Sequence, residues 1–372
     1  MNERIKVLWV TNALGCGGAE RQMLYMYDIM SKYCNMDITI LYYAKVGDAL
    51  NIDGVKTVFI DKSKVGKLKT VSLIRKYIKE NGIQIMHAFG GSAANIYGRF
   101  GAIGTKAIPV GAMLGKRHFS NWKNAAVNSF LNMFGNWWTV NNTDLVPILK
   151  HDLSFVSPEK VRLLHNGFVP SSCIDYHLEE QTEYDLDKGG SFVFAAVGRL
   201  QPVKNYAMFV RAAKIISEKY DNVRFWIIGN GSEMEGLTRQ VEVLGLQDKL
   251  RLWGYRTDID TAMSRCDCFV QTSFTEGSPN TIAEAMRAAK PIISTRSTDL
   301  SEMIDEDKNG YVTENDNCEH LVCAMERILA KQPSEYDAMC RRSVELFEAN
   351  FLDTKVAAEF DKFYNELICG GK

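Results

Sequence analysis

The chain has 372 residues, 46% hydrophobic and 24% charged, which suits two globular domains and excludes a disordered chain. No run approaches the roughly 18 apolar residues of a spanning helix, since Asn, Gly and Lys interrupt the apolar patches at 107–114 and 130–140. The net charge of −1 hides an asymmetry: residues 1–170 carry 21 Lys and Arg against 11 Asp and Glu, and the remainder is correspondingly acidic. A basic first half suggests an anionic partner there, whether phospholipid headgroup, lipid-linked phosphate or nucleic acid; a local bias of an ordinary solvated surface reads equally simply.

The elements alternate along the chain. Residues 5–10 read as a strand, because Thr11 and Asn12 cut the apolar run too early for a signal peptide. A helix over 19–30 and strands over 37–42, 55–60, 83–88 and 107–110 follow, with helices at 71–79 and 93–100. A polar, acidic stretch, 179–190, ends in Gly-Gly and marks a boundary. The pattern then restarts with strands at 192–197, 223–228, 250–253, 268–271, 291–294 and 310–312, and helices at 206–218, 234–244, 259–266 and 281–289. Residues 334–369 read as helical throughout. Such alternation predicts two doubly wound parallel sheets, which bind ligands beyond the carboxyl ends of their strands.

The nine cysteines, Cys16, Cys34, Cys173, Cys266, Cys268, Cys318, Cys323, Cys340 and Cys369, show no Cys-x-x-Cys spacing and no adjoining histidine pair. They read as free thiols in a reducing compartment, with structural zinc not expected. Asp258-Ile-Asp260 has the spacing of a metal motif, but acidic residues are ordinary at a helix start. No phosphate-loop lysine motif, nucleophile elbow or zinc-protease motif is present.

Several segments carry candidate chemistry. In 269–286 a strand leads through Glu276 and Gly277 to a helix expected to be capped by Ser278 with Pro279 at its first position. A helix start presents free N–H groups and the positive dipole end, suited to a diphosphate, and Glu276 and Glu284 would accept hydrogen bonds from hydroxyls on either side. The bland alternative is a capped helix with solvent-facing glutamates. In 197–205, Gly198 leads from a strand to Arg199 and Lys204, cations able to neutralise a diphosphate or to remain surface charges. The loop Gly15-Cys-Gly-Gly-Ala-Glu20 lacks the spacing of a dinucleotide site. His87 ends a strand and His118 follows Arg117 in a basic loop, each open to a structural or a ligand-facing role. A basic run, Lys62 to Lys79, interleaves with Val65, Leu68, Val71, Leu73 and Ile74 as an interfacial helix would, or as a solvated helix face.

Together these segments resemble the retaining glycosyltransferase family 4, of GT-B fold. The resemblance rests on Val197-Gly-Arg-Leu200 with Lys204-Asn205, Ile228-Gly-Asn-Gly231, Leu252-Trp-Gly254, Glu276 and Glu284 eight apart, Gly17-Gly-Ala-Glu-Arg21 and His165-Asn-Gly167. It implies two facing Rossmann-like domains with an interdomain cleft: 1–170 for acceptor, joined by a returning helix 355–372, and 171–354 for the nucleotide sugar. By the same resemblance, Arg199 and Lys204 hold the donor diphosphate and Glu276 the sugar hydroxyls. Gly277, Ser278, Pro279, Asn280 and Thr281 line sugar and phosphate, and Glu284 binds the ribose. Gly254, Tyr255 and Arg256 lie near the base, Gly17 and Gly18 close over the diphosphate, and His87 reaches the donor sugar. Arg117 and His118 are candidates for the acceptor site. The chain departs from the family pattern at Gln84, Phe89 and Ala93, where acceptor and sugar choice are set.

The resulting expectation is a metal-independent, cofactor-free retaining hexosyltransferase using a nucleotide-diphosphate sugar, UDP-linked. Its acceptor would be a glycan or lipid-linked saccharide, as in capsule, O-antigen or exopolysaccharide assembly. It would work in the cytoplasm with peripheral contact to an anionic membrane and no nucleic-acid partner. A sugar-nucleotide epimerase or hydrolase of the same fold, or a non-catalytic nucleotide-sugar binder, is the alternative.

Overall fold

The computed structural model describes residues 4–15, 18–45, 52–116, 121–174, 186 and 188–370. The chain divides into two compact units, Met1–Gly167 with Asp353–Lys372, and Phe168–Leu352.

The first unit begins β1 (Ile5–Thr11), α1 (Gly18–Tyr33), β2 (Met36–Tyr42), β3 (Thr57–Phe59), α2 (Lys62–Val65), α3 (Lys67–Glu80), β4 (Ile85–Ala88) and α4 (Ser92–Ala102). It continues β5 (Ile108–Met113), α5 (Trp122–Leu131), a 3-10 turn at Asn132–Phe134, β6 (Trp137–Val140), α6 (Leu145–Asp152) and β7 (Val161–Leu163). The strands form one parallel sheet in the order β3-β2-β1-β4-β5-β6-β7. Val7 to Val10 are all fully buried, as a strand covered on both faces requires. Val7, Trp9 and Ile85 pack on one face of the sheet, and Leu8, Val10 and Met86 on the other.

The basic run of 62–79 is not an interfacial helix with a free apolar side. Ile74 and Ile78 of α3 are core residues, with Val71 and Leu73 packed against the same cluster. Only Val65 and Leu68 of its apolar residues stay exposed. The elements between 122 and 163 are ones that the sequence pattern did not delimit.

The second unit runs β8 (Phe192–Val197), α7 (Tyr206–Lys219), β9 (Val223–Ile228), α8 (Met234–Val243), β10 (Leu250–Leu252), α9 (Ile259–Arg265) and β11 (Cys268–Gln271). It then adds α10 (Asn280–Arg287), β12 (Ile292–Thr295), β13 (Gly310–Thr313), α11 (Cys318–Leu329) and α12 (Pro333–Asn350). Its six strands are parallel, ordered β10-β9-β8-β11-β12-β13. Phe194, Phe209 and Phe225 anchor the core beneath α7, each worth about 2 kcal/mol or more of buried apolar surface.

The carboxyl-terminal region is two helices, not one. Helix α12 stops at Asn350, and α13 (Asp353–Gly370) returns to the first unit. At the break Phe351 is buried, and its carbonyl accepts from the Phe168 amide at 2.9 Å. Leu352 bridges Phe168 in parallel, so the two boundary segments of the second unit pair with each other. Helix α13 then buries Val356, Phe360, Phe363, Tyr364 and Leu367 against α1 and β1.

Candidate functional site

A doubly wound sheet opens a crevice beyond its carboxyl edge where strand order reverses. In the second unit that reversal lies between β8 and β11, and the two candidate motifs leave the sheet from these neighbours.

After β8 the backbone turns at Gly198, whose φ of +151° suits glycine. A Cβ on Gly198 would meet the Tyr206 hydroxyl at 2.8 Å, and one on Gly229 would lie 1.9 Å from the Gly198 carbonyl oxygen. The close approach lets Gly198 donate to the Ile228 carbonyl at 2.9 Å and Gly229 to the Gly254 carbonyl at 2.7 Å. The ends of β8, β9 and β10 are thereby knitted main chain to main chain. Arg199 projects from this rim exposed, and no side-chain hydrogen bond or ion pair engages it among the described residues.

Lys204 closes a single 3-10 turn, Pro202–Lys204, before Asn205 adopts the left-handed conformation that starts α7. Its ammonium donates to Glu276 Oε1 at 2.5 Å, with the lysine 22% and the glutamate 14% exposed. The pair is held from behind. Thr272 donates its hydroxyl to the Lys204 carbonyl at 2.8 Å, and the Phe274 amide donates to the Val203 carbonyl at 2.8 Å. The Glu276 amide donates to the Ser297 carbonyl at 3.2 Å, and Thr298 donates to the Gly277 carbonyl at 3.1 Å. Tyr206 is buried nearby; burial first, and then the Glu276 charge, push its phenol pKa up. Tyr206, Thr272, Ser297 and Thr298 thus shape the site, although an aromatic or hydroxyl residue in these positions reads from sequence as ordinary core or loop.

The helix start differs from the expectation. Pro279, with φ −77° and ψ 93°, is itself the cap residue, Asn280 is the first residue of α10, and no side chain caps the helix. Ser278 therefore lies one residue too early to cap it. Pro279 is buried, while Gly277, Ser278, Asn280, Thr281 and Glu284 are half-buried around the first turns. Gly254 takes φ +71°, leaving Tyr255 exposed. Arg256 is buried, ion-paired with Asp258 and 5.4 Å from the Trp253 ring centroid. Asp260 pairs with Arg287, so both aspartates of the Asp-x-Asp motif neutralise arginines.

Gly18 and His87 belong to the first unit. Gly18 opens α1, while Gly17, Arg117 and His118 lie outside the described residues. His87 is a core residue in this structure, not a ligand-facing one. The third residue of β4, it points with Ile85 to the sheet face covered by α13, and its ring is fully buried. Nδ1 lies 2.7 Å from the Tyr364 hydroxyl and Nε2 2.8 Å from Thr139 Oγ1, while Trp9 donates to the same phenol oxygen at 3.0 Å. Burial lowers the His87 pKa to about 3, so the imidazole is neutral at physiological pH.

Comparison with known proteins bears on the fold and on the second unit's sequence. Residues 179–345 match the family model described as glycosyl transferases group 1. An Escherichia coli UDP-Gal:alpha-D-GlcNAc-diphosphoundecaprenol alpha-1,3-galactosyltransferase is 32% identical over 184 residues, 47% of this chain and 46% of the relative. The chain spans between 25% and 47% of the length of the curated relatives it matches. Among solved structures, Anabaena Alr3699/HepE in complex with UDP superposes with a TM-score of 0.82 at 18% identity, covering 97% of this chain and 100% of its own. The lipopolysaccharide outer core galactosyltransferase WaaB superposes with a TM-score of 0.74 at 15% identity, covering 99% and 100%. The chain accordingly has the fold of GT-B glycosyltransferases, with two parallel-sheet Rossmann-like units, and its residues 179–345 match the glycosyl transferases group 1 model.

Proposed function

We propose that this protein is a retaining glycosyltransferase that moves a sugar from a UDP-linked donor to a glycan or lipid-linked saccharide, in the assembly of a bacterial surface polysaccharide. The observation that carries this reading is the Lys204–Glu276 pair beside exposed Arg199 and the start of α10, at the strand-order reversal of the second unit. Lys204 neutralises Glu276. A diphosphate would draw the ammonium toward its own charge and release the carboxylate to accept from a sugar hydroxyl. As the anomeric bond breaks, charge accumulates on the departing diphosphate, where Arg199, Lys204 and the positive end of the α10 dipole stabilise it. These cations would take the part that a metal ion plays elsewhere, so turnover should be unchanged in a chelator. The E. coli relative's printed donor and its diphosphoundecaprenol-linked acceptor support the substrate classes, and UDP in the Anabaena neighbour supports the nucleotide. All eight described cysteines are free thiols, which supports a cytoplasmic setting.

The test measures UDP binding and sugar transfer in wild type and Glu276→Ala, with product anomeric configuration read by NMR. A variant that binds UDP normally but loses transfer by about 100-fold or more supports the reading. Full transfer by the variant overturns it. Donor turnover without any acceptor points to the hydrolase or epimerase, and UDP binding without turnover in wild type points to a binding module.

A further inference from the structure

Resting on the transferase reading of the second unit, we propose that the Tyr206 hydroxyl is a further catalytic group. It donates a hydrogen bond to the diphosphate of the nucleotide sugar, a neutral donor beside the two cations.

The ring of Tyr206 has a structural reason, and its hydroxyl has none. As the first residue of α7, Tyr206 is 5% exposed and belongs to the core cluster that holds Leu200, Phe209 and Phe225. A phenylalanine would fill the same space. Among the described residues no hydrogen bond engages the phenol oxygen. A buried residue seldom keeps a hydroxyl that nothing pairs, because the group gives up water without return. The missing partner is therefore one that arrives with a ligand.

The oxygen lies at the rim of the crevice. Gly198 follows the last residue of β8 and precedes exposed Arg199, and it is half-buried. A Cβ on Gly198 would sit 2.8 Å from the Tyr206 oxygen and 3.9 Å from Lys204 Cε. Apart from the chain neighbours of Gly198, nothing else among the described residues comes within 4 Å of that point. The bare face of the glycine thus opens on a space shared by the phenol oxygen and the lysine tail. A ligand atom seated there is within hydrogen-bond reach of Tyr206.

Charge selects an anionic oxygen for that place. Arg199 and Lys204 border the same rim, and a phosphate oxygen is the acceptor that cations draw in. Tyr206 keeps its proton there: burial first, and then the Glu276 charge, hold its phenol above the ordinary tyrosine value. It therefore donates throughout the working pH range. When the bond from the anomeric carbon to the diphosphate oxygen breaks, the electron pair stays with that oxygen. The phenol proton is not transferred; its hydrogen bond strengthens as the negative charge grows.

The experiment compares wild type with Tyr206→Phe. UDP and uridine binding are measured by titration calorimetry, melting temperature is recorded, and kcat is measured with the UDP-sugar that wild type turns over. The variant should melt with wild type, since it loses no hydrogen bond within the protein. Its affinity for UDP should fall about tenfold while that for uridine is unchanged, and its kcat should fall tenfold or more. UDP affinity equal in the two proteins overturns the proposal. So does a loss shared equally by UDP and uridine, which marks a structural role. Unchanged UDP affinity with a reduced kcat overturns it too, because the phenol then serves Glu276 rather than the diphosphate. A wild type that binds no UDP takes down the transferase reading itself; one that binds UDP beside an unaltered variant takes down the role of the phenol alone.

Discussion

The two sheets share one winding scheme, with the order of strands reversing between β1 and β4 in the first unit and between β8 and β11 in the second. Their central strands nevertheless carry opposite polar residues. At the second reversal, Arg199 stands exposed and Lys204 and Glu276 form a part-open ion pair. Beside the first, His87 is sealed under α13 with both ring nitrogens partnered. Placement one or two residues before a strand's end does not by itself put a side chain on the rim. The alternation of faces decides it, together with whatever helix covers that face.

The largest test of this contrast is His87→Ala. It takes the imidazole partner from the Tyr364 and Thr139 hydroxyls in a buried core and leaves a cavity, for an expected loss of about 3 kcal/mol, or roughly 6–12 °C for the first unit. Transfer per folded molecule should be retained. A variant of native melting temperature with lost transfer would restore a substrate-facing histidine and break the contrast. Acid sharpens it further. With the folded pKa depressed to about 3 from an ordinary 6.5, the unfolded chain binds the extra proton. The His87 contribution is complete above the ordinary value and declines as pH falls toward 3, by up to about 1.4 kcal/mol per unit. Urea titrations between these pH values should show that slope in wild type and a flatter one in His87→Ala. The smallest effect is expected at the other rim: Arg199→Ala should leave stability within about 0.5 kcal/mol while weakening UDP binding about tenfold, read by calorimetry.

Much of the fold was legible because alternating β-branched runs and amphipathic helices mark a parallel sheet covered on both faces, and β11 matches its sequence-expected range of 268–271. The segments bearing Arg199, Lys204 and Glu276 were legible as strand-to-helix turns, and the structure brings them to one edge. Less visible were features set by tertiary context. Ser278 looked like a cap because serine accepts from a first-turn amide, but Pro279 holds a non-helical ψ and moves the start to Asn280. The break between α12 and α13 has no proline or glycine; its sequence marks are Asn350 and Asp353, ordinary polar residues until Phe351 is seen to be buried. The short elements of 122–163 were hidden by asparagines that serve as buried polar clamps, Asn128 and Asn132 gripped by Arg99. The basic 62–79 run stayed open between two readings because sequence alone does not say which apolar residues a neighbouring core will claim.

The return of α13 has a consequence for biosynthesis. Because Asp353–Gly370 supplies Phe360, Phe363 and Tyr364 to the sheet that starts at Ile5, the first unit is completed only after the second has been translated. On the ribosome the uninterrupted second unit has all its residues before the first has its closing helix. Until α13 emerges, Trp9 and His87 wait without their phenol partner, a window in which a chaperone would find them.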